Sequence, residues 1–229
     1  AACVRVELHE PLQCKIPERR EGCCVTVGRT IHNIALIGFM ASGKSTVGRI
    51  LAERLGFAFV DTDELVEQRA GKSVAAIFAE DGEEKFREYE RQVAAELVHR
   101  RNTVIATGGG FGADPSNLAS LKTHALVVCL WASPEVLHER ARRLENRPLL
   151  QVPDPLRRIR ELLAKRTPVY QQADVLINTA GRHNYEVAQI VLRHFHSMRT
   201  HDTGAGHHGA GAKNCQLPPS DNGARDNSQ

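Results

Sequence analysis

Residues 33–55 read NIALIGFMASGKSTVGRILAERL. The opening run, Asn33 to Ile37, is short and apolar without alternation, as in a strand buried on both faces of a parallel sheet. Gly38-Phe39-Met40-Ala41-Ser42-Gly43-Lys44-Ser45 then fits the pattern GxxxxGK[ST]. Beyond it, Val47, Ile50, Leu51 and Leu55 recur at helical spacing and share one face. A strand, a glycine turn and a helix in this order make a cradle for phosphate. Glycine lets the main chain wrap an anion without Cβ clashes. The N–H groups from about Ala41 to Thr46 point at it, backed by the helix N-terminus. Lys44 is placed to reach β- and γ-phosphates, and the Ser45 hydroxyl to take one coordination position of Mg2+. A plain glycine turn before an exposed lysine is the bland alternative, and the flanking strand and helix speak against it.

Working outward, further apolar runs stand at FAFV (57–60), TVIAT (103–107), ALVVCLW (125–131) and DVLIN (174–178). Helical patterns separate them over 62–70, 73–80, 83–100, from Ser133-Pro134 to about 144, over 154–166 with Pro168 as its stop, and over 184–197. The expected fold is α/β: a five-stranded parallel sheet in a three-layer α/β/α sandwich with right-handed crossovers. Ligands of such sheets sit at the carboxyl ends of the strands, and each further motif falls at one of those ends or on a helix or lid able to fold over them. Residues 1–30 show no clear period and read as an extension of unknown role. Residues 31–198 form the domain, and 199–229, rich in Gly, His and Asn, read as a disordered tail.

Composition narrows the classes. A chain of 229 residues with 41% hydrophobic and 25% charged residues suits one α/β domain with tails. A net charge of +3 argues neither for nor against nucleic acid, so function has to be sought in sites. No apolar run approaches the roughly 18 residues that span a bilayer. The N-terminal stretch lacks the pattern of a secretory signal, and Glu7, Glu10, Glu18 and Glu21 count against a transit peptide. A cytoplasmic protein is the expectation. Cys3, Cys14, Cys23, Cys24, Cys129 and Cys215 form no CxxC pair and read as reduced thiols, with Cys129 buried in its strand.

Several polar groups lie near those strand ends. Alternation along an extended chain sends Asp61 and Asp63 of Asp61-Thr62-Asp63 to one side. One carboxylate is then available to Mg2+ through water, the other to an acceptor hydroxyl and its proton. Capping of the helix at 62–70 explains the same residues equally well. In Phe86-Arg87-x-x-Glu90, Arg87 and Glu90 share a helix face, so Glu90 can hold the guanidinium while Arg87 grips a carboxylate. The alternative is a surface ion pair of little worth. Gly108-Gly109-Gly110 allows a ligand close to the main chain, or merely a flexible turn. Arg140, Arg142, Arg143 and Arg147 precede Pro148-Leu149-Leu150. A loop over about 142–155 carrying Arg147 would close over nucleotide, exclude water and stabilise the transferring phosphoryl group. A solvated helix end is the other reading, for Arg142 and Arg143 above all. Arg166, in Arg166-Thr167-Pro168-Val169-Tyr170, is a second cation for an anionic substrate.

GFMASGKS (38–45), DTD (61–63), FREYE (86–90), GGG (108–110), RPLL (147–150) and RTPVY (166–170) stand in the order and spacing found in shikimate kinases. Over about 32–197 the chain resembles that family. The resemblance implies a P-loop NTPase-type fold with a mobile lid. It further implies a cytoplasmic monomer, with no nucleic-acid or membrane partner, that transfers the γ-phosphoryl group of ATP to the 3-hydroxyl of shikimate. It carries Lys44, Asp63 and Arg147 over as catalytic. Asp63, Arg87, Gly109, Gly110 and Arg166 would bind shikimate, with both arginines on its carboxylate. Ala41, Ser42, Gly43, Lys44, Ser45, Thr46, Arg140, Arg147 and Arg182 would bind ATP, and Ser45 and Asp61 would serve Mg2+. Two segments depart from the family pattern: Ala41 replaces a usual glycine in the phosphate loop, and after the fifth strand Asn178-Thr179 and Asn184 stand where an Asp-Thr and a later proline are usual. A gluconate kinase would also use two arginines on a carboxylate, although DTD, GGG and RPLL favour shikimate. From another class, a ligand-sensing module without turnover is opposed by the intact Lys44, Ser45, Asp63 and Arg147.

Overall fold

Five strands, β1 (Asn33–Ile37), β2 (Ala58–Asp61), β3 (Thr103–Ala106), β4 (Ala125–Trp131) and β5 (Val175–Asn178), pair in parallel in the order β2–β3–β1–β4–β5. The computed structural model describes residues 29–143 and 152–203. The strand order reverses about β1, so the turn leaving β1 opens at the switch point of the sheet, where α/β folds bind ligands.

Strand alternation divides the core into two layers. Ile34 and Leu36 of β1, Val104 of β3, and Leu126, Val128 and Leu130 of β4 pack with Val47 and Leu51 of α1 (Lys44–Leu55). Val187, Val191 and Phe195 of α8 (Asn184–Thr203) complete that layer. Ala35, Ile37, Ile105, Val127 and Cys129 face the other way. They meet Phe86, Val93 and Leu97 of α4 (Gly82–Leu97) and Leu118 and Leu121 of α5 (Pro115–Lys122). The expected three-layer sandwich is therefore present, with β1 and β4 buried almost throughout. Cys129 is the buried thiol expected, pushed up to about 12 by its apolar surroundings. No helix among the described residues is long and apolar enough to cross a membrane.

Asn33 is a polar residue at the head of an apolar strand, and the sheet explains it. Its side chain donates to Arg100 O at 2.8 Å, accepts from Thr103 N at 3.0 Å and meets His124 Nδ1 at 2.8 Å. One buried amide thus ties the starts of β1, β3 and β4 together at the end of the sheet away from the phosphate loop.

Between β2 and α4 lie α2 (Thr62–Ala70) and α3 (Val74–Glu80), and after β4 come α6 (Pro134–Arg142) and α7 (Pro155–Tyr170). Three expectations need correction. Helix α5 was not anticipated, although Asp114 accepts from Ser116 N and Asn117 N and Pro115 opens the helix, both ordinary start signals. Pro168 does not stop α7, which runs on to Tyr170. The bond Pro168 cannot donate would go to exposed Ala164, and Gln171 N resumes the ladder on Thr167 O at 2.9 Å. Helix α8 runs to Thr203, so residues 199–203 continue it rather than begin a tail. The rest of that tail, 204–229, and residues 1–28 lie outside the described residues.

Candidate active site

The turn from β1 to α1 has a backbone that few side chains tolerate. Gly38 has φ 137°, and a Cβ there would lie 2.2 Å from Leu130 O. Gly43 caps α1 with φ 97°, and Ala41 adopts φ 61° despite its methyl group. Lys44 is buried and arches back over the loop, its Nζ donating to Phe39 O at 2.8 Å. Ser45 and Thr46 are exposed at the helix start, whose unpaired N–H groups face the same space. The Ser42 hydroxyl is buried here with no hydrogen-bond partner.

Asp61 and Asp63 divide the work between them. The helix begins at Thr62, so strand alternation does not set their directions as expected. Asp61 caps α2, its Oδ1 accepting from Asp63 N at 3.1 Å, while its Oδ2 accepts from Ser45 Oγ at 3.0 Å. Capping and the link to the phosphate loop thus coexist in one carboxylate. Asp63 points instead at the glycine turn after β3, where Gly108 N donates to the buried Thr62 Oγ1 at 2.8 Å.

Each glycine of that turn has a different side chain against its Cα. A Cβ on Gly108 would lie 2.1 Å from Asp63 Oδ1, one on Gly109 3.1 Å from Arg166 Nη1, and one on Gly110 2.4 Å from Arg87 Nη1. A carboxylate and two guanidinium groups therefore converge over three consecutive glycines. Tyr170 on the last turn of α7 donates to Gly109 O at 2.8 Å and pins this floor. Arg166 lies over the Phe39 ring at 5.4 Å, and its Nη1 is buried without a hydrogen-bond partner. A buried donor left unpaired is costly, and this one faces the glycine floor. Arg87 Nη1 donates to Glu90 Oε2 at 2.6 Å, as its spacing predicts. Burial pushes the Glu90 carboxyl up to about 7, with Arg87 opposing, and Glu90 Oε1 has no partner.

On the other side of the phosphate loop, Arg140 donates to Thr179 Oγ1 at 2.9 Å and to Thr179 O at 2.7 Å. Arg182 is exposed on the turn between β5 and α8, and Asn184 Oδ1 lies 3.5 Å from a Cβ built on Gly43. The loop after β5 therefore borders the phosphate loop. Arg147 and residues 144–151 of the expected lid lie outside the described residues.

A family model for shikimate kinase matches residues 40–196. The chain belongs to the shikimate kinase family. It is 42% identical over 168 residues to a shikimate kinase of Thermodesulfovibrio yellowstonii, covering 73% of this chain and 97% of that protein. A shikimate kinase from Acinetobacter baumannii, solved in complex with shikimate, superposes with a TM-score of 0.69 at 40% identity, covering 74% of this chain and 95% of that one. A gluconokinase from Sinorhizobium meliloti covers 79% of this chain and 100% of its own at a TM-score of 0.56 and 18% identity, which shows a shared fold alone. As a shikimate kinase family member, the chain is an ATP-dependent kinase that works with Mg2+.

The residues at the phosphate loop of this shikimate kinase family member suit that ion. A hydroxyl and a carboxylate 3.0 Å apart are hard oxygen donors of the kind Mg2+ takes while keeping most of its water and phosphate ligands. No group of three His, Cys, Asp or Glu able to hold a metal occurs among the described residues.

Sequence reasoning about this family member missed four supporting contacts. Thr62 and Phe39 carry no signal beyond their position in a motif. Tyr170 closes the RTPVY motif, and its hydroxyl fixes the glycine floor. Glu83, four residues before Arg87, also accepts from that guanidinium, and the i,i+4 spacing would have found it.

Proposed function

We propose that this protein transfers the γ-phosphoryl group of ATP to the 3-hydroxyl of shikimate, giving shikimate 3-phosphate and ADP. One observation carries the reading: Asp63, Arg166 and Arg87 converge over Gly108, Gly109 and Gly110, beside a phosphate loop that presents Lys44 and Ser45. Two cations and one carboxylate around a floor without side chains suit a small ring with a carboxylate at one end and hydroxyls at the other. Arg87 and Arg166 take the carboxylate, which would fill the orphaned Nη1 of Arg166. Asp63 accepts a hydrogen bond from the 3-hydroxyl and orients it.

The 3-oxygen attacks the γ-phosphorus, the bond from that phosphorus to the ADP oxygen breaks, and the hydroxyl proton passes to Asp63. Lys44 moves from Phe39 O to the β- and γ-phosphate oxygens, and the loop N–H groups from Ala41 to Thr46, with Ser42 and Gly43 among them, cradle the phosphates. Ser45, with Asp61 behind it, would hold Mg2+, whose positive charge would offset the negative charge of the phosphates. Arg140 and Arg182 flank the adenine of ATP. Arg147 is assigned to the γ-phosphate on its R-P-L-L motif alone. The reading takes residues 31–198 as the domain, with a lid over about 142–155. It takes the protein to be a cytoplasmic monomer without nucleic-acid or membrane partners.

ADP release from Mg-ATP, measured with shikimate, quinate and gluconate as parallel acceptors, tests it. Release dependent on shikimate, and lost in Asp63→Asn and Arg147→Ala, is expected. ATP binding without turnover on any acceptor would replace the reading with a ligand-sensing module.

A further inference from the structure

Arg87 holds two carboxylates, and they differ in kind. Glu90 accepts from Nη1 at 2.6 Å, and its side chain is 2% exposed. Glu83 accepts from Nη2 at 2.9 Å, and its side chain is 68% exposed. Releasing Glu90 would strand a buried group, whereas Glu83 on releasing Arg87 is simply hydrated. Both lie on α4 with Arg87 itself, Glu83 in the first turn. A carboxylate that reaches Arg87 through both terminal nitrogens has to share Nη2 with Glu83, and the two negative charges repel.

We propose that Glu83 is a specificity-determining, place-holding carboxylate: it occupies Arg87 Nη2 and yields it most readily to a substrate carboxylate that makes further contacts. This rests on the reading that Arg87 binds the acceptor's carboxylate. An acceptor that also engages Asp63 and Arg166 can displace Glu83. A simple carboxylate that offers Arg87 nothing more is disfavoured about twofold. Glu83 thus trades some affinity for discrimination among small anions, a repulsive element directed against the wrong ligand.

The test compares Glu83→Gln with Glu84→Gln, which removes the same charge from the same helix turn one position along. Shikimate KM and kcat are read at low and high salt, with benzoate as a competing simple carboxylate. An i,i+4 pair of this exposure is worth about a factor of two, so Glu83→Gln should lower shikimate KM about twofold with kcat unchanged. It should strengthen benzoate inhibition, and high salt should shrink both effects. Glu84→Gln should do neither. A raised KM in Glu83→Gln would mean that Glu83 orients Arg87 for substrate, and identical behaviour of the two variants would leave only helix electrostatics. Either result overturns the proposal. Arg87→Lys separates the premise: if it leaves shikimate KM unchanged, the assignment of Arg87 to the carboxylate has failed instead.

Discussion

Replacing Gly108 by alanine puts a methyl group where Asp63 now stands. The new Cβ would lie 2.1 Å from Asp63 Oδ1, and Cβ contacts under 3.0 Å do not occur, so the carboxylate has to retreat by at least 0.9 Å, the difference between the two. Its backbone cannot follow, because Asp61 caps the helix through Asp63 N and Thr62 Oγ1 is bound to Gly108 N. A misplacement of about 1 Å at a catalytic group costs on the order of 100-fold in rate, or about 2.7 kcal/mol of transition-state stabilisation. Gly108 does not have the positive φ that would itself reject alanine, and losing a glycine narrows the unfolded ensemble, which favours folding by about 0.4–1 kcal/mol. The expected result is therefore a kcat about 100-fold lower in an ADP-release assay, with a thermal midpoint close to the parent's. Gly110→Ala, 2.4 Å from Arg87 Nη1, should instead raise shikimate KM by pushing Arg87 off Glu90. A folded Gly108→Ala protein with kcat within a factor of about three of the parent would refute the placement of Asp63 at the reacting hydroxyl.

Two buried groups give opposite pH slopes of stability. Burial lowers His124 from 6.5 to about 4, so the unfolded chain binds the proton first and stability is lost as pH falls through that window. Burial raises Glu90 from 4.5 to about 7, so the folded protein keeps a proton that the unfolded chain has shed, and stability is lost as pH rises through that window. Each is worth up to about 3 kcal/mol and they oppose each other where the windows overlap. Thermal midpoints across pH 4.5–7 should be nearly flat in the parent, rise with pH in Glu90→Gln and fall with pH in His124→Asn. Ala41→Gly removes a left-handed alanine and should stabilise the fold by about 0.5–1 kcal/mol without raising the KM for ATP, as read by chemical denaturation and kinetics. Thr179→Val takes the Oγ1 acceptor from Arg140 and should raise the KM for ATP a few-fold while leaving that for shikimate unchanged.

The phosphate loop was the most legible part of the sequence because glycine positions, Lys44 and Ser45 are tied to one backbone shape and flanked by a strand and a helix. The strands were equally plain: burial on both faces demands unbroken apolar runs, and ALVVCLW matches β4 residue for residue. Pro168 misled because its position within the helix, near an exposed end, decides whether the lost hydrogen bond matters, and burial cannot be read from one residue. Helix α5 is a different case: Asp114-Pro115 announces it, but only Leu118 and Leu121 mark its apolar face. At the site, the Arg87–Glu90 pair was legible from spacing. The meeting of Asp63, Arg166 and Arg87 over three glycines was not, because it joins α2, α7, α4 and the end of β3, whose juxtaposition only the fold supplies.

In the proposed reaction the 3-hydroxyl of shikimate is phosphorylated with Asp63 at the reacting oxygen. Phosphorus NMR of a reaction containing the protein, Mg-ATP and shikimate tests it most directly. The account predicts a new phosphate ester coupled to the proton at carbon 3, formed in step with ADP, and none with Asp63→Asn despite retained ATP binding. Inorganic phosphate alone, an ester on another hydroxyl, or undiminished ester from Asp63→Asn would contradict it.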